Sequence, residues 1–138
     1  QFRSYKYYIH TQSLPFKRDI SWFMPYKINL KNLDNCAKAL IGKHDFTRLS
    51  KDNAEIQNKE CIIYESFWEH SQNHLIYNIK ANRFLHHMVR FIIGSSIEVA
   101  KSKFLFEDFL NLINNKSSKM HPVCAPAKGL FLYEVLYE

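Results

Sequence analysis

The chain has 138 residues and a mass of 16.5 kDa, the size of one domain. Hydrophobic residues make up 46% and charged residues 23%, ordinary globular values that point away from disorder. No run of about eighteen apolar residues occurs, so no membrane-spanning helix is expected. The formal net charge is +6, and it is unevenly spread. Residues 1–60 hold 11 Lys+Arg against 6 Asp+Glu, and residues 61–138 hold 8 against 7. Such an excess admits a polyanionic partner without requiring one. The three cysteines, Cys36, Cys61 and Cys124, are far apart with no C-x-x-C. Reduced thiols in a cytoplasmic protein are the expectation, not a disulfide framework.

Phe2 to His10 alternates as a strand, with Tyr5, Tyr7 and Ile9 on one face and Lys6, Tyr8 and His10 on the other. The chain enters this strand directly from Gln1, which suggests a piece of something longer. Residues 11–28 lack a clear period and carry Pro15 and Pro25. Asn29 can cap a helix in which Leu30, Leu33, Ala37, Leu40 and Ile41 recur at helical spacing, with Gly42 as a left-handed stop. Residues 43–59 read as irregular and polar. Cys61 to Trp68 and His74 to Ile79 are rich in β-formers, and Ser71-Gln72-Asn73 between them suits a hairpin turn. From Arg83 to Ala100 one apolar stripe runs through Phe84, Leu85, Met88, Val89, Ile92, Ile93, Ile97 and Ala100, predicting a helix. A further helix is expected over Phe106–Asn114, a loop around Pro122, Pro126 and Gly129, and a last strand from Leu130 to Tyr137.

The order β-α-β-β-α-(α)-β predicts an α+β, ferredoxin-like and RRM-like fold. Four antiparallel strands would be covered on one face by helices and open on the other.

Self-contained active sites are missing: there is no G-x-S-x-G, P-loop, G-x-G-x-x-G or H-E-x-x-H, and only three glycines. His86 and His87, adjacent on the expected helix, would point about 100° apart, a poor metal pair. Arg90 falls four residues after His86 and four before Gly94. It can be a snorkelling surface arginine or a functional guanidinium beside a close approach. Tyr5 and Tyr7 can be core or, on an open face, base-stacking platforms worth about 1–3 kcal/mol per base. Asp45, in Gly42-Lys43-His44-Asp45-Phe46, reads as a turn-capping aspartate, with a catalytic carboxylate as the alternative.

Four stretches carry a resemblance. The run Ile79-Lys80-Ala81-Asn82-Arg83-Phe84-Leu85-His86-His87-Met88-Val89-Arg90, continuing to Gly94, closely resembles a signature of the TruA family of tRNA pseudouridine synthases. Tyr5-Lys6-Tyr7 resembles that family's R-x-Y-x-Y strand, Leu40 to Phe46 its L-x-G-x-H-D-F segment, and Ala125 to Leu132, with Gly129 and Leu130, its A-P-x-x-G-L-x-L closing strand. The resemblance implies isomerisation of uridine to pseudouridine in the tRNA anticodon stem-loop, without cofactor or metal, by a homodimeric enzyme. The base would detach from its ribose, rotate and reattach through carbon. It implies that Arg90 pairs with a catalytic aspartate and that Tyr5 lies against the target base. Asp45, Phe46, Asn82, His86, His87, Gly94, Gly129 and Leu130 would be structural members of the motifs. Lys6, Lys17, Arg18 and Arg48 are candidate RNA contacts.

The departures are specific. The family's catalytic aspartate sits in an R-T-D-x-G-type run, and none of Asp19, Asp34, Asp45, Asp52 and Asp108 has that context. In the family that run lies in an N-terminal domain ahead of the R-x-Y-x-Y strand, so residues 1–138 would be a C-terminal domain, inactive alone. Phe91 stands in place of a usual Asn, Phe131 in place of a frequent Tyr, and Ser4 in place of a frequent basic residue. Two other classes stay open: an RRM-type RNA-binding module without chemistry, and a dimerisation or scaffold domain. The RRM reading lacks the aromatic-rich run on its third strand, which here is His74-Leu75-Ile76-Tyr77-Asn78-Ile79.

Overall fold

The computed structural model describes residues 1–137. Its strands are β1 (Phe2–His10), β2 (Trp22–Phe23), β3 (Gly42–Asp45), β4 (Glu60–His70), β5 (His74–Ala81) and β6 (Leu130–Leu136). Its α-helices are α1 (Leu30–Ala39), α2 (Met88–Ala100) and α3 (Phe106–Ile113). The sheet runs β2-β1-β5-β4-β3, with β6 also on β1. The expected four strands are β1, β4, β5 and β6, antiparallel wherever they pair with one another. Two short strands add to them: β2 runs parallel to the end of β1, and β3 lies antiparallel to β4.

Alternation fixes which face is buried. Tyr7 and Ile9 of β1, Leu75, Tyr77 and Ile79 of β5, and Ile63 and Trp68 of β4 all lie in the core. The helices cover that face with Leu33, Cys36 and Ala37 of α1, Met88, Ile92, Ile93 and Ile97 of α2, and Phe109 and Leu112 of α3. Each buried Leu, Ile, Met or Phe among them contributes on the order of 1.5–3 kcal/mol by leaving water. Asn29 caps α1 as expected, its Oδ1 accepting from the Asn32 N–H at 3.0 Å. The hairpin closes where Ser71 N–H donates to the His74 carbonyl at 3.0 Å. At the start of α3 the Asp108 carboxylate accepts the Leu105 N–H at 3.0 Å, and two acidic residues sit in its first turn, where the helix dipole favours them.

The structure corrects four local expectations. The long apolar stripe is helical only from Met88. Residues 82–87 are not helical, and His87 takes a left-handed conformation at φ 60°. His86 and His87 therefore do not diverge around a helix; their rings stack with centroids 3.9 Å apart. Gly42 does not cap α1, whose C-cap is Leu40; with φ 107° it opens β3, inside the segment expected to be irregular. Finally, the second sheet face is only partly open. Residues 11–21 fold over its end and bury His10, whose Nδ1 lies 2.8 Å from the Ser21 hydroxyl.

Candidate functional site

Three stretches of chain converge at one cleft of about 400 Å³, lined by Arg3, Tyr5, Phe84, His86, His87, Arg90 and Leu130 among others. β1 supplies Tyr5. The link from β5 to α2 supplies Phe84 and the two histidines. The first turn of α2 supplies Arg90.

The link is tied down before it reaches the cleft. Asn82 closes the β4–β5 ladder with its side chain: its Oδ1 accepts the Ile62 N–H at 2.8 Å, and its own N–H donates to the Ile62 carbonyl at 3.1 Å. Arg83 follows, its Nε and one terminal nitrogen donating to the Glu60 carbonyl at 3.0 and 2.8 Å. Phe84 then meets Tyr5 edge to face, centroids 5.0 Å apart and planes at 89°. Lys51 N–H holds the His86 carbonyl at 2.9 Å. The two tyrosines of β1 thus divide. Tyr7 is fully buried, whereas Tyr5 is partly exposed and lines the cleft.

Arg90 is held by backbone. Its Nε donates to the Ala125 carbonyl at 2.8 Å, and the Ala125 N–H donates to the Arg90 carbonyl at 2.9 Å. Val123 N–H donates to the Ser95 hydroxyl at 3.0 Å. Residues 123–126 thus form a strap laid along α2. Only glycine permits that approach: a Cβ on Gly94 would stand 2.1 Å from the Val123 carbonyl oxygen and 2.9 Å from the Ala125 nitrogen. Gly129 does the same one step later, where a Cβ would fall 2.7 Å from the Tyr8 carbonyl oxygen. The chain then enters β6 with Leu130 paired to Tyr7.

The cleft is cationic. Among the described residues Arg90 has no carboxylate partner, and no Asp or Glu lines the cleft. The protonated form of His87 is disfavoured by partial burial first, then by His86, Arg90 and Lys51, so its pKa lies below the usual histidine range. With Nε fixed on Ala125, the terminal nitrogens of Arg90 can still grip an anion. A planar guanidinium matches a carboxylate or phosphate with two parallel hydrogen bonds. No group of three or more His, Cys, Asp or Glu side chains able to hold a metal ion occurs among the described residues.

The other motif residues lie outside the cleft. Asp45 is exposed, and its Oδ1 accepts from the Thr47 N–H at 2.9 Å and the Thr47 hydroxyl at 2.5 Å, a turn cap. Those bonds to Thr47 outweigh some desolvation and lower its pKa. Phe46 is core. The four basic candidates are scattered. Lys6 lies on the second sheet face, 3.9 Å from Glu69 and over the Tyr133 ring. Lys17 donates to His74 Nε2 at 2.7 Å. Arg18 is exposed beside a cleft that Lys128 and Phe23 share. Arg48 folds back onto the Lys116 carbonyl at 2.5 Å. On the second face, Lys80 pairs with Glu65 at 2.9 Å and Asn78 donates to Glu69 at 2.8 Å. The middle of that sheet face therefore mixes ion pairs with the exposed rings of Phe67 and Tyr133.

A family model described as tRNA pseudouridine synthase matches residues 36–138, three quarters of the chain and the whole of the Asn82–Gly94 and Ala125–Leu132 segments. The chain belongs to the tRNA pseudouridine synthase family. Its curated relatives include tRNA pseudouridine synthase A of Parabacteroides distasonis, 30% identical over 135 residues. That of Bacillus subtilis is 31% identical over 138 residues, and that of Azobacteroides pseudotrichonymphae 35% identical over 136. These alignments cover 98%, 99% and 98% of this chain and 54%, 56% and 54% of the relatives. The chain thus spans about half the length of the synthases it matches.

The strap was not foreseen as a functional part. Its signal was present but indirect: a tyrosine at a buried strand position, Tyr7, must find a partner for its hydroxyl.

Proposed function

We propose that this chain is the C-terminal domain of a tRNA pseudouridine synthase that isomerises uridine in the anticodon stem-loop. Its Arg90 would hold the catalytic aspartate of a second domain. The observation that carries the reading is a guanidinium fixed by Nε to the Ala125 carbonyl in a cleft that contains no carboxylate. An arginine placed so firmly without an acid fits one that receives its acid from elsewhere. The coverage of the relatives supports the same division, since this chain accounts for little more than half the length of such an enzyme.

Each residue then has a task. Arg90 keeps the aspartate ionised and oriented, because a neighbouring guanidinium stabilises the charged carboxylate. Tyr5, braced edge-on by Phe84, lies against the flipped uracil. The base leaves its ribose, turns and rebonds through carbon while the cleft retains it. The positive cleft and the excess cations of residues 1–60 attract the tRNA backbone. Lys6, Lys17, Arg18 and Arg48 are the candidate contacts, with Lys17 and Arg18 free of acidic partners among the described residues. The full enzyme is a cytoplasmic homodimer in this reading, and Cys36 and Cys61, buried as free thiols, suit a reducing compartment.

The test uses the full-length gene product and the 138-residue chain side by side on an anticodon-arm RNA. The full-length protein is expected to convert uridine to pseudouridine and the chain alone to give none. Turnover by the chain alone would refute the division of labour, and an inactive full-length protein would refute the activity.

A further inference from the structure

Tyr7 has no exposed surface, and its hydroxyl meets the strap at one point. It donates to the Pro126 carbonyl at 2.6 Å. The residue before Pro126 is Ala125, whose carbonyl receives Arg90 Nε. Tyr7 therefore grips the backbone that aims Arg90, one residue further along. Its ring lies under Gly129, where a Cβ would come within 2.8 Å of Tyr7 Cε1 and Cζ, so the ring has no room to turn away. Burial raises the pKa of this phenol, against an opposing pull from Arg90, so the hydroxyl stays a donor throughout the working pH range. Tyr7 also stands two residues from Tyr5 on the same face of β1. One hydroxyl thus locks the strand that carries the cleft's aromatic ring to the strap that carries its cation.

We infer that Tyr7 is a positioning residue: through Pro126 and Ala125 its hydroxyl sets the direction in which Arg90 presents its guanidinium to the catalytic carboxylate. This rests on the role assigned to Arg90 above. A carboxylate and its cation must be held to within about half an ångström to work, and a strap released at one end cannot hold that tolerance.

The test is made in the full-length enzyme. Tyr7→Phe removes one oxygen and keeps the ring. It is expected to lower kcat for pseudouridine formation about 2–13-fold, the range of one lost hydrogen bond, with KM for tRNA changed less than about twofold. The Arg90 Nε–H resonance should shift and exchange faster with water, a readout that needs no turnover. In an Arg90→Lys background the same change should cost less than about twofold, because the guanidinium it aims is gone. Ser95→Ala, which frees the other end of the strap, should also lower kcat at constant KM, and it carries the kinetic test if Tyr7→Phe does not fold. An unaltered kcat, an unmoved Nε–H resonance or an equal loss in both backgrounds would overturn the inference. An inactive wild-type enzyme would defeat the reading of Arg90 instead, whereas an active wild type with a fully active Tyr7→Phe defeats only the role of Tyr7.

Discussion

Gly94→Ala puts the strap to a quantitative test. The added methyl would stand 2.1 Å from the Val123 carbonyl oxygen, 2.7 Å from the Val123 carbonyl carbon and 2.9 Å from the Ala125 nitrogen, all backbone atoms. Ordinary contact begins at 3.4 Å, so the strap must retreat by about 1.3 Å along the worst contact. A hydrogen bond lengthened that far is lost. Three are at risk: Ala125 N–H to Arg90, Arg90 Nε to Ala125, and Val123 N–H to Ser95. The neutral ones contribute about 0.5–1.5 kcal/mol each and the charged one about 1.5–3 kcal/mol. Replacing a helical glycine by alanine returns about 0.5–1 kcal/mol. The net loss is about 1.5–5.5 kcal/mol, measurable as a fall in urea midpoint at constant slope. Gly42→Ala is the control. The nearest atom to its added methyl is His44 Nε2 at 3.9 Å, so its cost is the strain of φ 107° alone, about 1 kcal/mol. A Gly94→Ala chain as stable as wild type, or losing no more than Gly42→Ala, would refute the packing of the strap on α2.

Asn29→Ala should cost about 1 kcal/mol by removing the cap of α1, read in the same denaturation assay. Stability should also depend on pH with a definite sign. The pKa of His10 is lowered, first by burial and then by His74, Lys17 and Lys128, and that of His87 is lowered by the causes given above. Both groups favour the folded state when neutral. Their contribution is therefore full above the unfolded histidine value of about 6.5, falls as pH drops below it, and is gone once pH passes the lowered folded values. Thermal melts from pH 8 down to pH 5 should show the loss, and His10→Gln should shrink it. A Tm that rises on acidification over this range would contradict the assignment. Cys36, buried in α1 with its pKa pushed up to about 12 by desolvation, should resist alkylation by a thiol reagent in the native chain, whereas exposed Cys124 reacts.

The parts of the fold carried by local chemistry were readable from the residues. The Asn29 cap with its apolar stripe, the Ser71-Gln72-Asn73 turn and the alternation of β1 each encode their element within a few positions. The start of α2 was not readable, because Phe84 and Leu85 continue the 3.6 period while the backbone there is not helical. Both are needed for packing, so their spacing is accidental, and no side chain caps the true start at His87. β3 escaped because Gly-Lys-His-Asp contains no β-former; it is an edge strand held by its ladder to β4. At the site, Arg90 and Tyr5 stood out through the family resemblance, and Gly94 through its spacing from Arg90. The device that holds Arg90 was hidden, because Ala125 is 35 residues away and contributes only backbone.

The central claim is that Arg90 serves catalysis and not tRNA affinity. Its most direct test is Arg90→Ala in the full-length enzyme, with pseudouridine formation and tRNA binding measured on the same preparation. The account predicts loss of turnover by about two orders of magnitude or more, with tRNA affinity within about threefold of wild type, as for an interaction that matters in the transition state. Turnover at the wild-type rate, or a loss explained wholly by weaker tRNA binding, would contradict it.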